Sequence, residues 1–485
     1  MLRCREGTSA EGRMKASRYK SPGAKTIMAI NESKRVYRLA DAFGLLLMSM
    51  VPVMVLLASA EGQAAAPTAL FWLVLLLPMV LVAWLLTRRD PEESTNGHRI
   101  AAIRVPHVEG LATEFEHLVT PFVRPSRSYV EAGVPVIEGT PVIPANGLFP
   151  QLQRRLAPRR IIPFIEELVD GRVRVVGLPG EVDARLRTRS SPAVHLLLFI
   201  VTVITAVYAG ARQRGVNLLD EPSLFPIGLP YAVSLLTILG VHEFGHYAMA
   251  RRHGVAVTLP YFVPFPMGLG TLGAFIQMKS LIKTRRAIFD IGIAGPLAGL
   301  AVALPLLYFG IGTESASSGD GSRFAVDAGS SMFLALLQQV AYGGDIGTAA
   351  VNLSPVAFAA WIGVFVTALN LLPVGQLDGG HIAYALFGRR HARAVSIATV
   401  SLMAGLGLVV WPGLLTWALI VTLIAGFSHM PALDDVTPPD AKRFALGVLT
   451  LALPILIVVP VPRSLEAPTL DSPYQGRLLV NEDAR

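Results

Sequence analysis

The chain has 485 residues, of which 52% are hydrophobic and only 16% charged, and its mean hydropathy is +0.53. That balance excludes an ordinary water-soluble domain and points to a multi-span membrane protein. The formal charge of +8 would suit a nucleic-acid binder, but in a membrane chain basic residues report orientation instead, and no nucleic-acid partner is expected.

In chain order, residues 1–43 form a basic segment without the apolar core of a signal peptide. Apolar runs approaching the roughly 20 residues a spanning helix needs lie near 44–59, 68–87, 193–210, 229–250, 287–311, 353–372, 395–410, 414–427 and 444–462. They predict about nine spans. The basic groups around Arg88, Arg251, Lys279 to Arg286, Arg389 to Arg393, and Lys442 then share one side, which should be cytoplasmic.

Between the two N-terminal spans (44–87) and the main membrane core (192–462), residues 88–191 hold no membrane-length apolar run. They predict a cytoplasmic α+β domain that either recruits substrate, regulates access or serves as a packing spacer. Within it, "IIPFIEELVDGRVRVVGLPG" reads as a short helix, then a strand pair or turn around Asp170 and Gly171, then an alternating strand. The segment 256–280 is apolar, yet its Pro and Gly density forbids a regular helix. Non-helical backbone at membrane depth persists only when buried in protein or lining a wet cavity, so a re-entrant loop or β-hairpin is expected, with Gly270 to Ile276 as an edge strand. Residues 312–330 read as an external connection rich in Gly, Ser and Asp, 331–341 as an interfacial stretch too short to span, and 463–485 as a C-terminal tail. The fold class is therefore an all-α polytopic membrane protein with a re-entrant β-hairpin or loop and a small α+β cytoplasmic insertion.

Cys4 is the only cysteine, so any metal must use His and carboxylates. In "HEFGH", His242 and His246 are four residues apart, on one helical face, and both can reach one Zn²⁺ ion. Glu243 is placed to take a proton from the attacking water rather than to bind the ion. A hydrolytic zinc site needs a third protein ligand. "NLLPVGQLDGGH", residues 370–381, offers Asp378 on backbone broken by Pro373, Gly375, Gly379 and Gly380. The alternatives are two satisfied core histidines and an Asp378 that merely caps a helix. His253 and His381 read as exposed loop residues, with binding or proton shuttling as the alternative, "HMPALDD" (429–435) as a gate, a bond to a ligand or a capped turn, and Gly295, Pro296 and Gly299 as allowing close helix packing or a kink.

"HEFGHYAMARRHGV", "PYFVPFPMGLGTLGAFIQMKS", "FDIGIAGPLAG" and "NLLPVGQLDGGH" together resemble the site-2 protease family of intramembrane zinc metalloproteases, in the branch of the ethylene-dependent gravitropism-deficient and yellow-green proteases. The resemblance covers residues 190–445 and departs from the common pattern at Gly375, where many members have a second proline. It implies one catalytic zinc held by His242, His246 and Asp378, Glu243 as general base and acid, and Asn370 orienting substrate or oxyanion. It also implies membrane-protein substrates in a lipid bilayer, here in a bacterial inner membrane with the active site towards the cytoplasm. An extended substrate would pair with Gly270, Thr271, Leu272, Gly273 and Ala274. Two other readings compete. One is a membrane metallopeptidase with a glutamate as third ligand, and the other a metal transporter or non-proteolytic metal-binding protein, which would not need Glu243.

Overall fold

A computed structural model describes residues 108–311, 325–327, 331–342 and 350–458, apart from 132, 169, 181–190, 266–267, 410–412, 428 and 430. The expected spans at 44–59 and 68–87 and the tail at 463–485 lie outside the described residues.

Residues 108–180 fold as an α+β module. Helices α1 (Val108–Val119) and α2 (Ala145–Leu156) pack on an antiparallel sheet of β1 (Val123–Glu131), β2 (Val134–Pro141), β3 (Ile161–Glu167) and β4 (Val173–Pro179), in the order β1-β2-β4-β3. Leu148, Leu152 and Leu156 recur every four residues, so one stripe of α2 faces the sheet and is buried with Phe115 and Val119 of α1. Ile161–Glu167 is a strand, not the short helix expected from sequence. Three β-branched isoleucines favour the pleated backbone. Pro163 is tolerated because β3 ends the four-stranded sheet and the Ile165 backbone, two residues on, turns its N–H away from β4.

That outward edge of β3 is not left open. Ile165 N–H donates to the Leu433 carbonyl at 2.8 Å and Asp435 N–H to the Ile165 carbonyl at 3.0 Å. On its other side the 433–435 strap donates from Leu433 N–H to Ile282 O (3.0 Å) and from Asp434 N–H to Lys283 O (2.8 Å). The sheet is thereby continued to the entrance of the membrane core.

The core consists of α3 (Pro192–Gln213), α4 (Leu229–Arg252), a hairpin of β5 (Tyr261–Pro264) and β6 (Thr271–Phe275), and α5 (Arg285–Ile311). A short pair, β7 (Ala325–Asp327) with β8 (Ala350–Asn352), flanks α6 (Met332–Tyr342). Then follow α7 (Pro355–Asn370), α8 (Asp378–Val409), α9 (Gly413–Ala425) and α10 (Ala441–Val458).

Among the described residues, five helical stretches are long and apolar enough to cross a membrane: Pro192–Gln213, Pro222–Arg252, Arg285–Ile311, Asp378–Leu408 and Ala441–Val458. The sequence placed seven of its nine spans among the described residues, and each has a helix, but α7 and α9 fall short. At 16 residues and 1.5 Å per residue, α7 reaches about 24 Å against a hydrocarbon core of about 30 Å. It is an interior helix, with Val364 and Ala368 wholly buried. α6, expected at the interface, packs Leu334 inward with Leu307, Ile311 and Ile457, and Ser331 Oγ donates to the Ile457 carbonyl at 2.8 Å.

α8 starts well before the expected span at 395–410, because a buried first piece, Asp378 to Phe387, precedes a break at Gly388 (φ 75°, ψ 169°). The Arg285 guanidinium takes over the carbonyls that break frees, donating to Ala385 O and Leu386 O at 3.0 Å each. Beyond the break Arg389 reaches Glu166 of β3 at 3.5 Å.

Candidate active site

α4 carries His242 and His246 one turn apart, both buried. Their Nε2 atoms face each other at 3.1 Å. The carboxylate of Asp378 closes the group, with Oδ2 3.2 Å from His242 Nε2 and Oδ1 3.3 Å from His246 Nε2. Asp378 is the first residue of α8 rather than part of the irregular backbone before it. The three donor atoms lie within 4.8 Å of one another.

The hydrogen bonding tests whether this group suits a cation. His246 Nδ1 lies 2.7 Å from the Ile291 carbonyl, which can only accept. Nδ1 therefore carries the proton in the neutral ring, and Nε2 turns its lone pair towards the other imidazole and the carboxylate. Lone pairs and a carboxylate converging out of water repel unless a proton or a metal ion sits among them. Two nitrogens and one carboxylate suit a divalent ion with a position left open.

Small residues of α5 make room for the rings. A Cβ at Gly295 would run into the His246 imidazole, and one at Gly299 would come within 3.1 Å of His242 Nδ1. Gly295 and Gly299 are thus shaped to the two imidazoles themselves, a closer role than the general helix packing read from sequence.

The turn that delivers Asp378 is held as tightly. Gly375 has φ +47°, and a Cβ there would collide with the carbonyls of Ala425 and Gly426, so the residue that departs from the family pattern is required by α9. Ser396, buried on α8, accepts from Gly375 N–H at 3.3 Å and lies 3.0 Å from the Pro373 carbonyl. Nothing in the sequence marked Ser396, because the partners that tie it to this turn, Gly375 and Pro373, are backbone atoms more than 20 residues away.

Glu243 is buried beside the group, where the Ile276 backbone N–H reaches its carboxylate. That amide follows β6, which pairs with β5 along one edge only among the described residues. The strand expected over Gly270 to Ile276 runs from Thr271 to Phe275. Gly270 precedes it and accepts from Thr205 Oγ1 at 2.6 Å. Thr271 Oγ1 donates to the Val263 carbonyl at 2.9 Å. Leu272 is half exposed and Gly273 and Ala274 are partly buried. Asn370 ends α7 and forms no hydrogen bond to His242, Glu243, His246 or Asp378.

Two histidines expected to be simply exposed are not. His253 Nε2 lies 3.0 Å from Asp290, which Arg443 also grips. His381, one turn into α8, contacts His429. In "HMPALDD", Asp434 accepts from Val436 N–H and Thr437 N–H, a capped turn, whereas Asp435 Oδ1 accepts from the Tyr384 hydroxyl of α8 at 2.5 Å.

Residues 230–412 match the model for Peptidase family M50. The probable zinc metalloprotease EGY2, chloroplastic, of Arabidopsis thaliana is 31% identical over 50% of this chain and 44% of its own length. EGY1 of Oryza sativa subsp. japonica is 32% identical over 55% of this chain and 50% of its own. For EGY3 of the same rice the figures are 32%, 65% and 58%. The chain thus spans about half the length of the curated relatives it matches. No solved structure matches. These relatives are chloroplast proteins, so the comparisons lend no support to a bacterial inner membrane, nor to a transporter. A multi-pass membrane protein stands. Over residues 230–412 this chain is similar to peptidase family M50, the site-2 protease family.

Proposed function

We propose that this chain is a zinc-dependent endopeptidase that hydrolyses peptide bonds within or next to transmembrane segments of other membrane proteins. The observation that carries the reading is the convergence of His242, His246 and Asp378 on one point, with Glu243 beside them on an otherwise apolar helix. His242 Nε2, His246 Nε2 and one Asp378 oxygen would hold the ion. When bound, zinc supplies a Lewis acid for the scissile carbonyl and the attacking water.

The protein's own groups do the rest. Glu243 takes the proton of the attacking water and returns it to the leaving amine. Ile291 fixes the tautomer of His246, so that its lone pair is presented. Asn370, at the end of α7, orients the substrate or meets the developing oxyanion. A helical substrate shields its carbonyls, so it must unwind, and the open edge from Gly270 to Ala274 offers backbone groups to the extended segment. Ile276, the residue after β6, ties that edge to Glu243.

His246 is five residues from Arg251, so the site lies within roughly 10 Å of the basic membrane face. The α+β module docks beside Arg389 on that same face, which we assign to the cytoplasmic side. The test is cleavage of single-span substrates in proteoliposomes, read by mass spectrometry. Cuts in or beside the apolar span, abolished by a zinc chelator and restored by Zn²⁺, are expected. Chelator-insensitive cutting would refute the metal mechanism.

A further inference from the structure

The first piece of α8, Asp378 to Phe387, is a short rigid lever about 15 Å long, with the metal ligand at its start. It is gripped far from that ligand. Tyr384 is fully buried, and its hydroxyl donates to Asp435 Oδ1 at 2.5 Å while accepting from Ala432 N–H at 2.8 Å. Its ring stacks on His429 (4.4 Å between centroids, 11° between planes), and His429 in turn contacts His381, one turn from Asp378. The strap that supplies Ala432 and Asp435 is the one on which β3 of the α+β module docks. Ile165 exchanges two backbone hydrogen bonds with it, and Leu433 is buried in the module's own core.

We propose that Tyr384 is a positioning residue for Asp378, and that the Tyr384–Asp435 bond makes docking of the α+β module a requirement for a well-formed metal site. The inference rests on the reading that His242, His246 and Asp378 hold zinc. A module attached only as a spacer would need no polar tie to the ligand-bearing helix. Here the tie is made by a wholly buried tyrosine, and the strap is hydrogen-bonded on one side to the module and on the other to the residues leading into α5. Because a helix of this length moves as a unit, a shift of the strap is transmitted to the carboxylate at its start. Gly388 frees the lever from the rest of α8.

The test uses the full chain in detergent, loaded with zinc, with metal loss followed by a chromophoric chelator and site geometry by the visible spectrum of the Co²⁺-substituted protein. Tyr384→Phe keeps the ring stack and deletes the bond. Ile165→Pro removes the donor to Leu433 while leaving the β3–β4 ladder intact, because the Ile165 backbone faces the strap. Asp435→Ala removes the acceptor, whereas Asp435→Asn retains an acceptor oxygen. Expected are zinc loss on the order of 10-fold faster in Tyr384→Phe, Ile165→Pro and Asp435→Ala, shifted Co²⁺ bands, near wild-type behaviour of Asp435→Asn, and no further acceleration when Ile165→Pro is added to Tyr384→Phe. Zinc loss within twofold of wild type in Tyr384→Phe and in Ile165→Pro, or effects that multiply in the double variant, would overturn the proposal. A wild-type chain that holds no zinc would instead overturn the metal reading beneath it.

Discussion

Gly295 of α5 lies so close to His246 of α4 that a Cβ would occupy the space of the imidazole ring. Gly295→Ala must therefore push the ring off its bond to Ile291, and zinc affinity should fall by about 10- to 100-fold. Gly405→Ala on α8, where a Cβ meets nothing within 4 Å, should leave zinc content unchanged. Competition with a chelator of known affinity, run on both variants, checks this.

Ser396 staples the turn before Asp378. Ser396→Ala leaves the buried Gly375 N–H without its acceptor, which should cost about 1–3 kcal/mol. Thermal unfolding monitored on the detergent-solubilised chain should register the loss.

In the α+β module Glu138 lies against Arg174, 2.6 Å away, with both side chains nearly buried, and accepts from Tyr129 at 2.9 Å. Burial pushes the Glu138 carboxyl up, but the Arg174 guanidinium and the Tyr129 hydroxyl outweigh it and hold the group below its usual value. Its stabilising contribution is present above the ordinary carboxylate range and is lost as pH falls through the lowered folded value. Glu138→Ala, which leaves buried Arg174 only the more distant Glu166 at 3.9 Å, should destabilise the module by about 3 kcal/mol at neutral pH, with a smaller penalty in acid. Hydrogen exchange of the β2 and β4 amides reads the difference.

Asp435 behaves oppositely. Burial raises it from 3.8 to about 6, against the pull of Tyr384 and Arg285. Arg389 also pulls it down and Glu166 pushes it up. The folded chain binds the extra proton, so this group's contribution is full below pH 4 and lost as pH rises through 6. The stability of wild type relative to Asp435→Asn should decline across that window. A flat difference between pH 4 and 7 would contradict the burial of this carboxyl.

The cluster of His242, His246 and Asp378 was legible because its signal is local or carried by turn-forming residues. His242 and His246 share a helical face by spacing alone, and Asp378 stands among Pro373, Gly375, Gly379 and Gly380. The strand at Ile161–Glu167 was misread because a short run of apolar residues followed by Glu166 and Glu167 fits either period, and the tertiary pairing of Ile165 with both β4 and the strap decides it. The buried start of α8 was missed because Gly379, Gly380 and the arginines from Arg389 onward lower its hydropathy, although Ile382 to Ala385 are wholly enclosed. Ser396, Tyr384 and Asp435 gain their roles from partners 21 and 51 residues away, which no local pattern encodes.

The most direct measurement compares wild type with Glu243→Gln at matched zinc content, on single-span substrates read by mass spectrometry. With His242, His246 and Asp378 intact, the variant should bind zinc like wild type and lose about 10²- to 10⁴-fold in cleavage rate. Cleavage that persists undiminished in Glu243→Gln, at the same peptide bonds and with the same zinc content, would contradict the assignment of Glu243 as the base and with it the proposed hydrolytic site.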